Sequence, residues 1–216
     1  MPRIAFFDID GTLITESVWD YFLMQPEIAP HKRAVYMRFL PTFIGRKLGI
    51  LDEARFREAW VQQMARLMRG WSQAQVNALF DRVVTAMGSP FRSDVSARVR
   101  EHLAQGERVV LASGMFDGFA QRFAQQLGAE AGLGTKLGFR DGLCTGKIDG
   151  RGCAGEQKPE FLRAFLQSRD LSSAYGYADS FSDVPMLAAV GTPVATYPDD
   201  QLRAYARAQG WAIFPA

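Results

Sequence analysis

Ile4-Ala5-Phe6-Phe7-Asp8-Ile9-Asp10-Gly11-Thr12 is the stretch on which the reading of this 216-residue chain turns. Residues 4–7 are β-prone and continuously apolar, which suits a strand buried on both faces of a parallel sheet. Asp8 and Asp10 fall where that strand stops, and Gly11-Thr12 lets the backbone turn away. In open α/β sheets the ligand crevice lies at the carboxyl ends of the strands. Two carboxylates one residue apart repel each other unless a cation or a chemical task offsets the cost. Taken alone, the stretch also reads as a strand followed by an acidic turn, so the decision passes to what lies downstream.

Downstream, the chain turns helical for some seventy residues. Trp19–Met24, Arg33–Leu48, Asp52–Arg69 and Ser72–Met87 repeat apolar residues at three- and four-residue spacing. Pro26, Pro30, Pro41, Gly49, Gly70 and Gly88-Ser89-Pro90 are expected to punctuate them, with Asp52 and Ser72 as N-caps. From about residue 90 strands and helices alternate. Helices are expected over 92–105, 117–127, 158–168, 183–189 and 199–209, and strands over 108–113, 173–178 and 193–196. Arg140-Asp141-Gly142-Leu143 carries the turn signal of a hairpin within 135–148. Repeated βα units with apolar strands predict an α/β parallel sheet flanked by helices. The helical block, 15–88, interrupts that domain, formed by 1–14 and 89–216.

Composition narrows the function classes. Hydrophobic residues at 48%, charged residues at 22% and a formal charge of +2 describe an ordinary globular chain, with no electrostatic case for nucleic acid. Cys144 and Cys153 match no zinc spacing and are expected to be incidental thiols. His31 and His102 are expected to have no nearby ligand-type partner, which leaves imidazole catalysis little material. No signal peptide is expected and no apolar run reaches about 18 residues, so a cytoplasmic protein without stable membrane insertion is expected.

Three later segments supply what Asp8 and Asp10 lack. Leu111-Ala112-Ser113-Gly114 reads as a strand ending before a helix, where a hydroxyl and free amides cradle phosphate, although Ser-Gly also makes a plain turn. Lys158 opens a helix ahead of Pro159; a solvated lysine is the plain account, yet a cation at a helix N-terminus is unfavourable without an anion nearby. Tyr177-Ala178-Asp179 delivers another strand-end carboxylate, and Asp183 follows where an N-cap also fits. Together they make a hard-oxygen site suited to Mg²⁺, with cationic and amide groups for phosphate and a carboxylate free to attack phosphorus.

Asp8-Ile9-Asp10-Gly11-Thr12, Ser113, Lys158 and Asp179…Asp183, in that order, resemble the four motifs of the haloacid dehalogenase-like (HAD) superfamily. Leu111–Gly114, Asp141–Gly146 and Gly191–Ala195 resemble its subfamily IB, the phosphoserine phosphatase-like branch, and the helical insert resembles its C1-type cap. The resemblance implies a HAD-like, Rossmann-like fold and a Mg²⁺-dependent phosphomonoester hydrolase acting on a small phosphorylated metabolite. Asp8 would be the nucleophile and form an aspartyl-phosphate. Asp10 would be the general acid and base, and its carbonyl would hold Mg²⁺ with the carboxylates of Asp8 and Asp179. Ser113, Gly114 and Lys158 would bind phosphate, with Asp183 orienting Lys158 or a metal-bound water. Asp10 also speaks against carbon–halogen chemistry, which needs no acid for its leaving group.

Two positions depart from the phosphoserine phosphatase pattern. Ser182 stands where an asparagine is usual, and Glu16 lies one residue early for the carboxylate that grips the substrate amine. Glu16 and Trp19 are nevertheless the specificity candidates, Trp19 and Tyr21 through cation–π contact with a phosphorylated amine. A phosphotransferase sharing the intermediate, or a non-catalytic phospho-ligand module, remain the alternatives. The basic, apolar stretch 31–51 suits either a packed helix pair or a lipid surface.

Overall fold

A computed structural model describes residues 3–51, 53–168 and 170–215. Strand β1 (Ile4–Phe7) is buried at all four positions. The helical block follows as α1 (Val18–Leu23), α2 (Lys32–Lys47), α3 (Glu53–Leu67) and α4 (Gln73–Met87). Ser72 caps α4 in a reciprocal box with Gln75, satisfying two amides that a bare helix start leaves open. The expected cap at Asp52 falls outside the described residues.

The alternating half then runs α5 (Ser93–Ala104), β2 (Arg108–Phe116), α6 (Asp117–Leu127), β3 (Ala131–Thr135), β4 (Leu137–Arg140) and β5 (Leu143–Ile148). It continues with α7 (Lys158–Leu166), β6 (Tyr175–Ala178), α8 (Val184–Ala189), β7 (Thr192–Thr196), α9 (Asp200–Gln209) and β8 (Ala212–Phe214). Six strands form one sheet in the order β3-β2-β1-β6-β7-β8, with every neighbouring pair parallel. The chain moves outward from β1 to β3, returns to the other side of β1, and moves outward again to β8. The switch point is therefore the β1/β6 pair, where an open α/β sheet offers its crevice.

Four expectations need correction. Pro41 does not break the helical block but lies inside α2. Strand β2 does not stop at Ser113 but reaches Phe116, with a register shift against β3 between Ala112 and Phe116. That irregularity turns Ser113-Gly114 aside while Met115 and Phe116 return to the core. Strand β3 was not anticipated. His102 does have ligand-type neighbours: it is buried, with Nδ1 2.5 Å from Glu107 Oε2 and Nε2 2.9 Å from the Tyr177 hydroxyl, and its ring meets Phe7 edge-on.

The helical block is sewn to the α/β half rather than hung from it. Trp19 and Phe22 from α1 and Phe80 from α4 meet Phe116 and Phe119 in one aromatic cluster. The β4–β5 hairpin, with Asp141 and Gly142 both left-handed at its tip, packs on α3. Gln62 bonds Gly146 and Ile148, and Cys144 exchanges backbone bonds with Gly70 and Trp71.

Both cysteines are buried and unpaired. Burial pushes the Cys153 thiol up to about 12 and raises that of Cys144. Because the thiolate is the reactive form, the native protein is expected to take up no iodoacetamide at neutral pH on the timescale in which the urea-unfolded chain is fully alkylated. Mass spectrometry of the two samples checks this.

Candidate active site

Asp8 continues the line of β1, its amide bonded to the Tyr177 carbonyl of β6 at 2.8 Å. The adjacent strand end brings Asp179, so the switch point itself juxtaposes the two carboxylates. Thr12 stands between them, its hydroxyl 3.0 Å from Asp179 Oδ1 and 3.3 Å from Asp8 Oδ2. Gly11 must be glycine here on two counts. Its φ is +81°, and a Cβ would stand 2.1 Å from Asp179 Oδ2.

Lys158 is fully enclosed, and its ammonium donates to Asp8 Oδ1 at 2.5 Å and to Asp183 Oδ1 at 2.7 Å. The anion that a lysine at a helix start calls for is thus present twice. Burial alone would lower the Lys158 ammonium, but Asp183 and Asp8 outweigh it and raise it, so the lysine stays charged. Asp183 sits at the N-cap position of α8 without capping it, because its carboxylate is committed to Lys158.

Burial raises Asp8 well above the usual carboxylate range, with Lys158 opposing and the neighbouring aspartates adding to the rise. Asp10 is turned to the other side of the site, where its Oδ2 accepts from the Ser113 hydroxyl at 2.9 Å. Burial raises it too, against the pull of that hydrogen bond and of Arg57. A raised carboxyl holds its proton more readily than a free one, which is the direction an acid–base group needs.

The donor set is all oxygen. Carboxylate atoms of Asp8, Asp179 and Asp183 lie within 4.8 Å of one another, which fits a hard divalent cation such as Mg²⁺ and offers nothing to a softer metal. Asp179 is pushed up to about 6 by burial and by Asp183. Such a carboxyl favours the folded state below its unfolded value near 4, and that stability is lost as pH rises through about 6. Metal-free protein in EDTA is therefore expected to lose on the order of 2–3 kcal/mol between pH 4 and pH 7 from this group. Added Mg²⁺ should flatten the dependence; urea denaturation across that range measures both.

A cavity of about 940 Å³ opens above these groups, lined by Asp8, Asp10, Ser113, Gly114, Lys158, Ser182 and Asp183 from the sheet side. From the helical block come Glu16, Trp19, Arg55, Phe56, Arg57, Trp60 and Val61. Ser182 reaches it with its hydroxyl 3.1 Å from that of Ser180. Glu16 is exposed at the rim and takes the Tyr21 hydroxyl. Tyr21 itself is not among the lining residues and reaches the cavity only through that bond to Glu16. Trp19 does line it, but its ring is engaged edge-on with Phe22, Phe116 and Phe119.

Two residues of the site were not among the candidates drawn from the sequence. Arg57 projects from α3 with a nitrogen 3.3 Å from Ser180 Oγ, and its charge acts on Asp10. Only its place four residues before Val61, on one helix face, could have marked it. Thr12 lay in plain view within the quoted stretch but read as part of the turn.

The family model of haloacid dehalogenase-like hydrolases matches residues 5–188. A Streptomyces azureus protein named "Inhibition of morphological differentiation protein" is 32% identical over 99% of this chain and 78% of its own length. Phosphoserine phosphatase SerB1 of Mycobacterium tuberculosis is 30% identical over 99% of this chain and 70% of its own. Among solved structures, a Bordetella pertussis protein of unknown function superposes with a TM-score of 0.83 at 26% identity, covering 99% of this chain and 98% of its own. The chain belongs to the haloacid dehalogenase-like hydrolase family. Within it the chain is a phosphoserine phosphatase-like member, an enzyme of the phosphatase type.

Proposed function

We propose that this protein is a Mg²⁺-dependent phosphomonoester hydrolase acting through an aspartyl-phosphate on a small phosphorylated metabolite. The observation that carries the reading is the division of labour between the two aspartates of the first motif. Asp8 is held by Lys158 among the strand-end carboxylates, while Asp10 faces Ser113 on the other side.

In this reading an Asp8 carboxylate oxygen attacks phosphorus and the bond from phosphorus to the ester oxygen breaks. Asp10 gives its proton to the departing alkoxide. Water then attacks the aspartyl-phosphate, passing a proton to Asp10, and the bond between phosphorus and Asp8 breaks to restore the carboxylate. Ser113, the Gly114 amide and Lys158 bind the phosphoryl oxygens. Asp183 keeps Lys158 aimed, and Ser182 lies beside it on the cavity wall. Mg²⁺, held by Asp8, Asp179 and the Asp10 carbonyl, would supply neutralisation of the phosphate charge.

The cavity walls above carry opposite charges, Glu16 at the rim and Arg57 on α3, so the substrate reading extends to a phosphomonoester bearing a charged group, with an amine directed to Glu16. The helical block, 15–88, is the cap in this reading, and α3 the part of it nearest the substrate. Among the described residues no helix is long and apolar enough to cross a membrane. Two unpaired thiols suit the reducing cytoplasm in which we place the protein.

The test is phosphate release from a panel of phosphomonoesters with Mg²⁺ and with EDTA. Metal-dependent release is expected, and halide release from a 2-haloacid is not. Halide release, or turnover indifferent to EDTA, would overturn the reading. Glycerol added to the same assay distinguishes hydrolysis from transfer, since a phosphotransferase would form glycerol phosphate at the expense of free phosphate.

A further inference from the structure

Helix α2 is apolar on both sides. Its inner side seats Phe39 against Phe56 and Trp60 of α3, with ring centroids 5.1 and 4.9 Å apart. On the outer side Met37, Leu40, Ile44 and Leu48 recur at helical spacing, and they are 64, 47, 47 and 68% exposed. Tyr36, Phe43 and Ile50 widen the patch. A surface helix ordinarily turns polar residues outward, and contiguous exposed apolar area of this kind marks a contact surface.

The charge around the patch has one sign. Lys32, Arg33, Arg38 and Lys47 lie on α2, and no Asp or Glu occurs anywhere from 28 to 51, while Arg46 turns inward over the Phe56 ring. That combination selects among occupants. A second copy of this chain, set face to face by a two-fold axis, would bring four cations against four. An anionic bilayer offers both an apolar layer and complementary charge. At 16 residues α2 is about 24 Å long, short of the roughly 30 Å hydrocarbon core. A helix this short can meet a bilayer only from the interface plane.

We propose that the outer face of α2 docks this protein on an anionic lipid surface. Met37, Leu40, Ile44 and Leu48 enter the headgroup boundary, and the flanking lysines and arginines meet the lipid phosphates. Because α3 packs beneath α2 and carries Phe56, Arg57, Trp60 and Val61 into the wall of the cavity, docking brings the helical side of the cavity close to the membrane without covering the sheet side.

Sedimentation with extruded vesicles tests it. The protein is expected to pellet with phosphatidylcholine/phosphatidylglycerol vesicles, weakly with phosphatidylcholine alone, and less as salt is raised. The variants Met37→Ser/Leu40→Ser/Ile44→Ser and Arg33→Glu/Arg38→Glu should each lower the vesicle-bound to free ratio by at least about tenfold. Their circular dichroism and thermal transitions serve as the check that they fold. No pelleting with the anionic vesicles, or pelleting that both folded variants retain, overturns the proposal. So does a dimer in light scattering that the serine variant abolishes while vesicles fail to bind, which would assign the patch to a second copy.

Discussion

Asp8→Asn is expected to lower kcat by at least about four orders of magnitude while leaving the protein folded. The amide keeps the shape of the side chain and can still accept from Lys158, but it offers no anionic oxygen to phosphorus. Stability should be unharmed or improved, because burial and three neighbouring aspartates already raise Asp8, and one charge fewer relieves them. Two measurements belong together: turnover on the best phosphomonoester and the thermal midpoint with and without Mg²⁺. An unchanged or higher midpoint with turnover gone identifies the nucleophile; appreciable turnover in the variant would remove Asp8 from that role. Asp10→Asn makes the contrast. Its loss should be smaller, on the order of 10²–10⁴-fold, and smallest for a substrate such as p-nitrophenyl phosphate, whose leaving group needs no proton.

Why the site was legible while parts of the sheet were not comes down to how far each residue's role depends on distant chain. Asp8, Lys158 and Asp179 stand at strand or helix ends that short patterns announce, and an α/β topology gathers such ends at one edge; Ser113 stands instead at the irregularity inside β2. The pairing of Lys158 with both Asp8 and Asp183 follows from that topology. Strand β3 shows the opposite case. Ala131-Gly132-Leu133-Gly134-Thr135 looks like a turn because glycine is depleted in strands. The glycines are there because α6 packs almost against the strand, where a Cβ at Gly132 would meet the Ala120 carbonyl at 2.1 Å. No local pattern encodes that approach. Arg57 was invisible for a related reason. Its place in the cavity depends on how α3 is set over the sheet by the hairpin and the Phe80–Phe116–Phe119 cluster. Trp19 was legible as an aromatic near the motif, but its neighbours, Phe116 and Phe119, lie a hundred residues away.

Lys158→Met is expected to cost about 3–5 kcal/mol of stability near neutral pH, besides activity, because it leaves Asp8 and Asp183 buried without their shared cation. Methionine fills much of the volume of the lysine stem, so the loss is electrostatic rather than a packing defect. Its pH dependence follows from the sign of the shift. Asp8 is already raised in the wild-type site, and removing Lys158, the one cation that lowers it, raises it further. A carboxyl raised in the folded state supports folding below its unfolded pKa and loses that support as pH rises through its folded value. The deficit should accordingly be widest at pH 7 and narrow as pH falls toward 4. Urea denaturation of both proteins in EDTA at several pH values reads this directly. The double variant Lys158→Met/Asp8→Asn should recover part of the loss at pH 7, since the two residues share one interaction and their effects cannot add. A deficit of the same size at every pH, or strict additivity in the cycle, would mean that the lysine is held for its packing, and the reading of Lys158 as the cation shared by Asp8 and Asp183 would fail with it.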